Sequence, residues 1–160
     1  MLVKMVQYED FVNYKKPSMF IGIGDCNWKC CTEANIPVTV CQNSELANQK
    51  EIDIAVEELY DRYVNNPITN AIVIGGLEPF TRFSDIINLI SYFRSHQCND
   101  DFVIYTGYYE NEIKSQIYIL QQYSNVVIKF GRFIPDRPKH CDEILGVTLI
   151  SDNQYAKRIS

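Results

Sequence analysis

The run Ala71-Ile72-Val73-Ile74, wholly apolar and stopped by Gly75-Gly76, restricts the fold more than any other stretch of the chain. Apolar residues without polar alternation suit a strand buried on both faces, and such strands belong to parallel sheets covered by helices. The flanking sequence repeats the theme. Met19 to Ile23 reads as a strand. Glu51 to Val64 reads as a helix because Ile52, Ala55, Val56, Leu59, Tyr60 and Tyr63 recur at helical spacing, and Asn65-Asn66-Pro67 ends it. Phe83, Ile86, Ile87, Ile90 and Phe93 share one stripe of a further helix. A strand from Phe102 to Tyr105, a helix from Glu110 to Gln122, a strand from Val126 to Phe130 and a last strand near Ile144 to Leu149 complete the series. This βα alternation predicts an α/β fold with a mostly parallel sheet and right-handed crossovers. Eight βα units typically occupy ~250 residues. A chain of 160 residues therefore predicts one domain, 1–160, built as a partial, incomplete TIM-like barrel of βα units.

Four of the six cysteines, Cys26, Cys30, Cys31 and Cys41, fall in a short stretch directly after the first of these strands. The N-terminus shows no secretory pattern, and no run approaches the ~18 apolar residues of a membrane helix, so the expected location is the cytoplasm, with no membrane partner. Thiols stay reduced there, and clustered cysteines hold metal more often than they staple a fold. With 46% hydrophobic residues the chain can bury a core unaided, so the cluster reads as functional. Cys98 and Cys141 stand apart and read as ordinary buried or half-buried thiols. A net charge of −5 argues against nucleic acid, whose phosphates require a basic face.

In open α/β sheets ligands bind beyond the carboxyl ends of the strands. The loops expected there carry the unusual residues: the cysteines, then Gly75-Gly76-Leu77-Glu78-Pro79, Thr106-Gly107-Tyr108, Gly131-Arg132 and Ser151-Asp152-Asn153-Gln154. Trp28, inside the cysteine loop, reads as a shield for the site.

Taken in order, Val12-Asn13, the cysteine cluster, Gly75 to Pro79, Ile104-Tyr105-Thr106-Gly107-Tyr108, Gly131-Arg132-Phe133 and Ser151 to Gln154 resemble a known pattern. The chain is similar to radical S-adenosylmethionine (SAM) proteins, and among them to the small activating protein of the anaerobic (class III) ribonucleotide reductase. The resemblance implies a [4Fe–4S] cluster held by three thiolates, with the fourth iron open to the amino and carboxylate groups of SAM. It further implies reductive cleavage of SAM to a 5′-deoxyadenosyl radical that takes a hydrogen from a glycine of the partner enzyme. The implied partners are that protein substrate and an electron donor such as flavodoxin or ferredoxin. No catalytic side chain is implied beyond the cluster and SAM. The SAM-side residues implied are Gly75, Gly76, Glu78, Pro79, Thr106, Lys129, Arg132 and Asn153, with Lys129 or Arg132 facing the SAM carboxylate.

The chain departs from the family at its most diagnostic motif. The usual Cys-x3-Cys-x2-Cys spacing would use Cys26, Cys30 and position 33, which is Glu33. The expected ligands are Cys26, Cys30 and Cys41, with Cys31 as the alternative third. Closing the ten-residue loop to Cys41 costs only about 1.4 kcal/mol more than closing two residues. Tyr14-Lys15-Lys16 stands where activases carry Gly-Pro-Gly, and Phe130 stands where they carry an acid. Other readings stay open: a four-thiolate zinc site, a non-catalytic iron–sulfur module, or a radical SAM protein with a different substrate. Glu78 also suits a helix first turn, and Lys129, Arg132, Arg137 and Lys139 a solvated basic rim. His96 and His140 read as surface residues.

Overall fold

The computed structural model describes residues 1–160. Ten strands form: β1 Leu2–Val3, β2 Met5–Asp10, β3 Ser18–Ile23, β4 Ile52–Asp53, β5 Ala71–Gly76, β6 Asp101–Tyr105, β7 Val126–Phe130, β8 His140–Asp142, β9 Val147–Leu149 and β10 Tyr155–Arg158. The helices are α1 Lys29–Ala34, α2 Ser44–Ala47, α3 Val56–Val64, α4 Phe83–Ser95 and α5 Lys114–Leu120. Six strands make one mixed sheet in the order β10-β7-β6-β5-β3-β2. Its centre, β3, β5, β6 and β7, is parallel. Both edges are antiparallel, β2 against β3 and β10 against β7, and the sheet does not close. No helix is long and apolar enough to cross a membrane.

The expected strands at Met19, Ala71, Phe102 and Val126 are the four parallel ones, and β5 continues through Gly75-Gly76 instead of stopping before them. Their alternate side chains divide between two cores. Met19, Ile21, Ile72, Ile74, Phe102, Ile104 and Ile128 pack with Leu59 and Tyr63 of α3, Ile86, Leu89, Ile90 and Phe93 of α4 and Leu120 of α5. The helices thus cover this face. On the other face Ala71, Val73, Val103 and Val127 meet Tyr14, Leu145, Leu149 and Ala156. Tyr14 is therefore a core residue, and its hydroxyl donates to Asp101 at 3.0 Å.

Three expected boundaries move. The helix expected from Glu51 begins only at Val56, because Ile52 and Asp53 pair with Val3 and Leu2 and the Ile54 amide donates to the Met1 carbonyl. The helix expected over Glu110 to Gln122 is a 3-10 turn at Glu110–Glu112 followed by the shorter α5. Glu112 accepts the Tyr109 amide and turns its carboxylate to Arg132, which spends the would-be first helical turn on the site. The last strand does not join the sheet. Val147–Leu149 pairs only with His140–Asp142, and the hairpin lies on the second core. A further parallel strand needs a crossover, usually helical; no helix follows β7, and the chain returns as antiparallel β10. The sequence did not announce β2 or β10.

Candidate metal centre

The carboxyl ends of the parallel strands deliver the site. After β3 the chain turns at Gly24, whose φ is +94° and whose absent Cβ would lie 2.5 Å from the Glu78 carbonyl oxygen. Only glycine fits a positive φ against another backbone at that distance. The contact presses the cysteine loop onto the β5 loop, where the Glu78 amide donates to the Asp25 carbonyl at 3.0 Å. Trp28, at φ 55°, sits left-handed before α1, and its amide donates to the Cys26 sulfur at 3.4 Å.

Cys26, Cys30 and Cys41 border one recess of about 120 Å³, together with Trp28, Glu78 and Tyr108. Cys31 does not; it is buried in α1, its sulfur 3.9 Å from that of Cys30, and faces a second, adjoining cavity of about 360 Å³. Cys30, Cys41, Gly76, Leu77, Gly107 and Arg132 border both. All six cysteines are free thiols; Cys98 is half-buried, as expected, whereas Cys141 is exposed, and neither borders these cavities. Burial pushes the Cys26 thiol up and the Cys31 thiol up to about 11, so ligation must displace a proton from the first. No three donor side chains converge on a point. A single tetrahedral zinc with bonds of about 2.3 Å needs sulfurs about 3.8 Å apart. The Cys30 and Cys31 sulfurs meet that separation at 3.9 Å, but no third donor joins them.

Glu78 is buried and fully engaged: its carboxylate accepts the Thr106 hydroxyl at 2.7 Å, the Gly107 amide at 2.9 Å and the Phe80 amide at 3.2 Å. It caps the short turn that starts at Pro79 and clips the β5 loop to the β6 loop. Burial raises its pKa, against the pull of those donors and of Lys129. The Thr106 hydroxyl is engaged on both sides, since it also accepts the Tyr108 amide at 3.0 Å.

Arg132 has no donor to spare. It meets Glu33 through Nε and one terminal nitrogen, Glu112 through both terminal nitrogens, and the Gly107 carbonyl at 3.0 Å, with its guanidinium over the Tyr109 ring. These carboxylates hold its pKa up, and Arg132 with Lys29 holds that of Glu112 down at about 2. Glu33, standing where a third cysteine is usual, therefore fastens α1 to the β7 loop. Lys129 differs. It is buried, faces only the larger cavity, and donates to the Gly131 carbonyl alone; burial lowers its pKa to about 8.

The remaining expected residues are scattered. Gly75 packs between Phe20 and Tyr105, and Pro79 is buried at its turn. Asn153 donates to the Arg132 carbonyl and to the Tyr109 hydroxyl and accepts from Ser151, so it braces the β7 loop from outside both cavities. Arg137 pairs with Asp152 on the surface, as a solvated rim would, and Lys139 is exposed. His96 is exposed, but His140 is half-buried and bonds the Gln154 carbonyl. Sequence reasoning passed over Asn43 and Glu112, and it named Asn13, Tyr108 and Gln154 only as members of motifs, with no role of their own. Gln154 closes a run already singled out, and its side chain lines the larger cavity.

Among protein families, the one described as "4Fe-4S single cluster domain" matches residues 17–154 of the chain. No curated protein and no solved structure matches it.

Proposed function

The chain belongs to the 4Fe-4S single cluster domain family, and on that premise we propose that it is a radical SAM enzyme that activates a glycyl-radical partner, an anaerobic ribonucleotide reductase. One observation carries this reading: three thiols, Cys26, Cys30 and Cys41, border a recess whose wall also includes Gly76 and Gly107, at the ends of β5 and β6. A cluster with three protein ligands keeps one iron open, and the group supplies, with SAM and an electron, reductive cleavage of a sulfonium. The four parallel strands bring the loops that carry these residues to one end of an open, mixed sheet.

The chain's own residues hold and close the site. The shared wall of the two cavities, Gly76, Leu77 and Gly107, offers main chain unshielded by large side chains at its glycines, where SAM would lie. Glu78 keeps the β5 and β6 loops at fixed separation. Glu33, Glu112 and Arg132 hold α1, and with it Cys30, against the β7 loop. Trp28 borders the recess, and an apolar side chain beside a cluster is one of the groups that tune its potential.

Anaerobic reconstitution tests the proposal. Near four irons and four sulfides per chain, with 5′-deoxyadenosine formed from SAM and dithionite, are expected. A full cluster with no product would reduce the protein to a non-catalytic iron–sulfur module, the reading that the replacement of the third motif cysteine by Glu33 favours. Product formation without radical transfer to the reductase would point to another substrate.

A further inference from the structure

Three cations border the two cavities, Lys29, Lys129 and Arg132, and the fold leaves one of them without a counter-charge. Lys29 is paired with Glu112, and Arg132 with Glu33 and Glu112. Lys129, 7% exposed, forms no ion pair. Its Nζ donates to the Gly131 carbonyl at 2.9 Å, which leaves two of an ammonium's three donors unused. A buried charge left uncompensated is costly, so an anion is missing from its surroundings.

Glu78 is not that anion. Its carboxylate is taken up by Thr106, Gly107 and Phe80 and makes no contact with Lys129. Lys129 borders the larger cavity together with Cys30 and Cys41. Burial lowers its pKa to about 8, and Glu78 and Cys30 are the groups that pull it back up, so the ammonium keeps its proton at neutral pH within electrostatic reach of the Cys30 sulfur. A cubane held by three thiolates is an anion, and each electron that it takes up adds a negative charge. A fixed ammonium beside it favours the reduced form, and does so more strongly inside a protein than in water.

We propose that Lys129 is the counter-charge of the iron–sulfur cluster and holds its reduction potential up, which eases reduction by an external one-electron donor. In that step one electron passes from the donor to the cluster, no bond is made or broken, and the proton of Lys129 stays on Nζ. The inference rests on the cluster and not on the cleavage of SAM. The carboxylate of a bound ligand such as SAM would meet the same ammonium, so the test is made on the cluster alone.

The test is a spectroscopic redox titration of the anaerobically reconstituted protein, without SAM and with dithionite as the reductant. Lys129→Met should lower the equilibrium constant for one-electron reduction about tenfold, which is roughly 59 mV in midpoint potential, for one unit charge removed beside the cluster. Lys129→Arg, which keeps the charge, should stay near wild type, and so should Lys139→Met, which removes an exposed one. An unchanged potential in Lys129→Met, an equal shift in Lys129→Arg, or an equal shift in Lys139→Met would each overturn the proposal. A wild type that takes up no cluster would overturn it too, as would iron lost from Lys129→Met and Lys129→Gln alike, which would make Lys129 a packing residue. Formation of 5′-deoxyadenosine by the wild type is scored separately. Potentials that move as expected without product sink the catalytic reading alone, and product with a potential indifferent to Lys129 sinks the counter-charge alone.

Discussion

Gly24 shows how a single residue fixes the site. Its φ of +94° and the 2.5 Å approach to the Glu78 carbonyl leave no room for a Cβ. Gly24→Ala should cost about 2 kcal/mol, by the usual penalty for backbone strain, and should lower iron per chain because the cysteine loop must lift off the β5 loop. A denaturation midpoint and iron content equal to wild type would refute the role. Cysteine substitutions address the ligands directly. Cys26→Ala and Cys30→Ala should lose the cluster, and Cys98→Ala and Cys141→Ala should keep it. Because Cys41 borders the recess and Cys31 does not, Cys41→Ala should also lose iron while Cys31→Ala stays near wild type; the reverse would move the third ligand to Cys31. The residues that contact the recess were legible as cysteines after a strand. What Arg132 and Asn153 do was not, because a sequence names donors but not the carboxylates and carbonyls that use them up.

Helix α1 illustrates the scale of elements. Its six residues are too few for a stable isolated helix. Tertiary ion pairs hold it: Lys29 to Glu112, and Glu33 to Arg132, which in turn grips Glu112. Glu112 ionises near pH 2 instead of 4.5. An acid with a depressed pKa adds stability that is complete above its unfolded value and is lost as pH falls through the folded one. Glu112→Gln should therefore destabilise the protein at pH 7, and the gap to wild type should close between pH 4.5 and about 2, measured by urea unfolding across that range. A gap unchanged by pH would mean that the carboxylate charge contributes nothing. The same clamp explains why α5 begins late. Helical periodicity around Glu110 to Gln122 was present in the sequence, but Glu112 was claimed by Arg132, and local periodicity carries no record of a distant guanidinium.

At the scale of the molecule the sheet is bounded by its two antiparallel edges, and β10 covers the outer side of β7 over Tyr155 to Arg158. Removing residues 155–160 would unpair that edge, strip Arg158 from Asp101 and free the Asp142 carboxylate that accepts the Ala156 amide. The truncated chain should melt several degrees lower, as a loss of about 1 kcal/mol or more would cause in a domain of this size, and should self-associate by light scattering, since a bare edge is a template for pairing. An unchanged melting point and particle size would show the edge to be dispensable. By itself the sequence determined the four central strands, the helical stripe of α4 and the placement of thiols and glycines at one end of the sheet. Apolar periodicity, glycine punctuation and thiol chemistry are local properties written residue by residue. Only the tertiary structure decided that β2 and β10 flank the sheet, that Cys41 and not Cys31 joins the recess, and that Glu33 and Glu112 neutralise Arg132. Those outcomes depend on which distant groups meet across the fold, and no local pattern encodes such meetings.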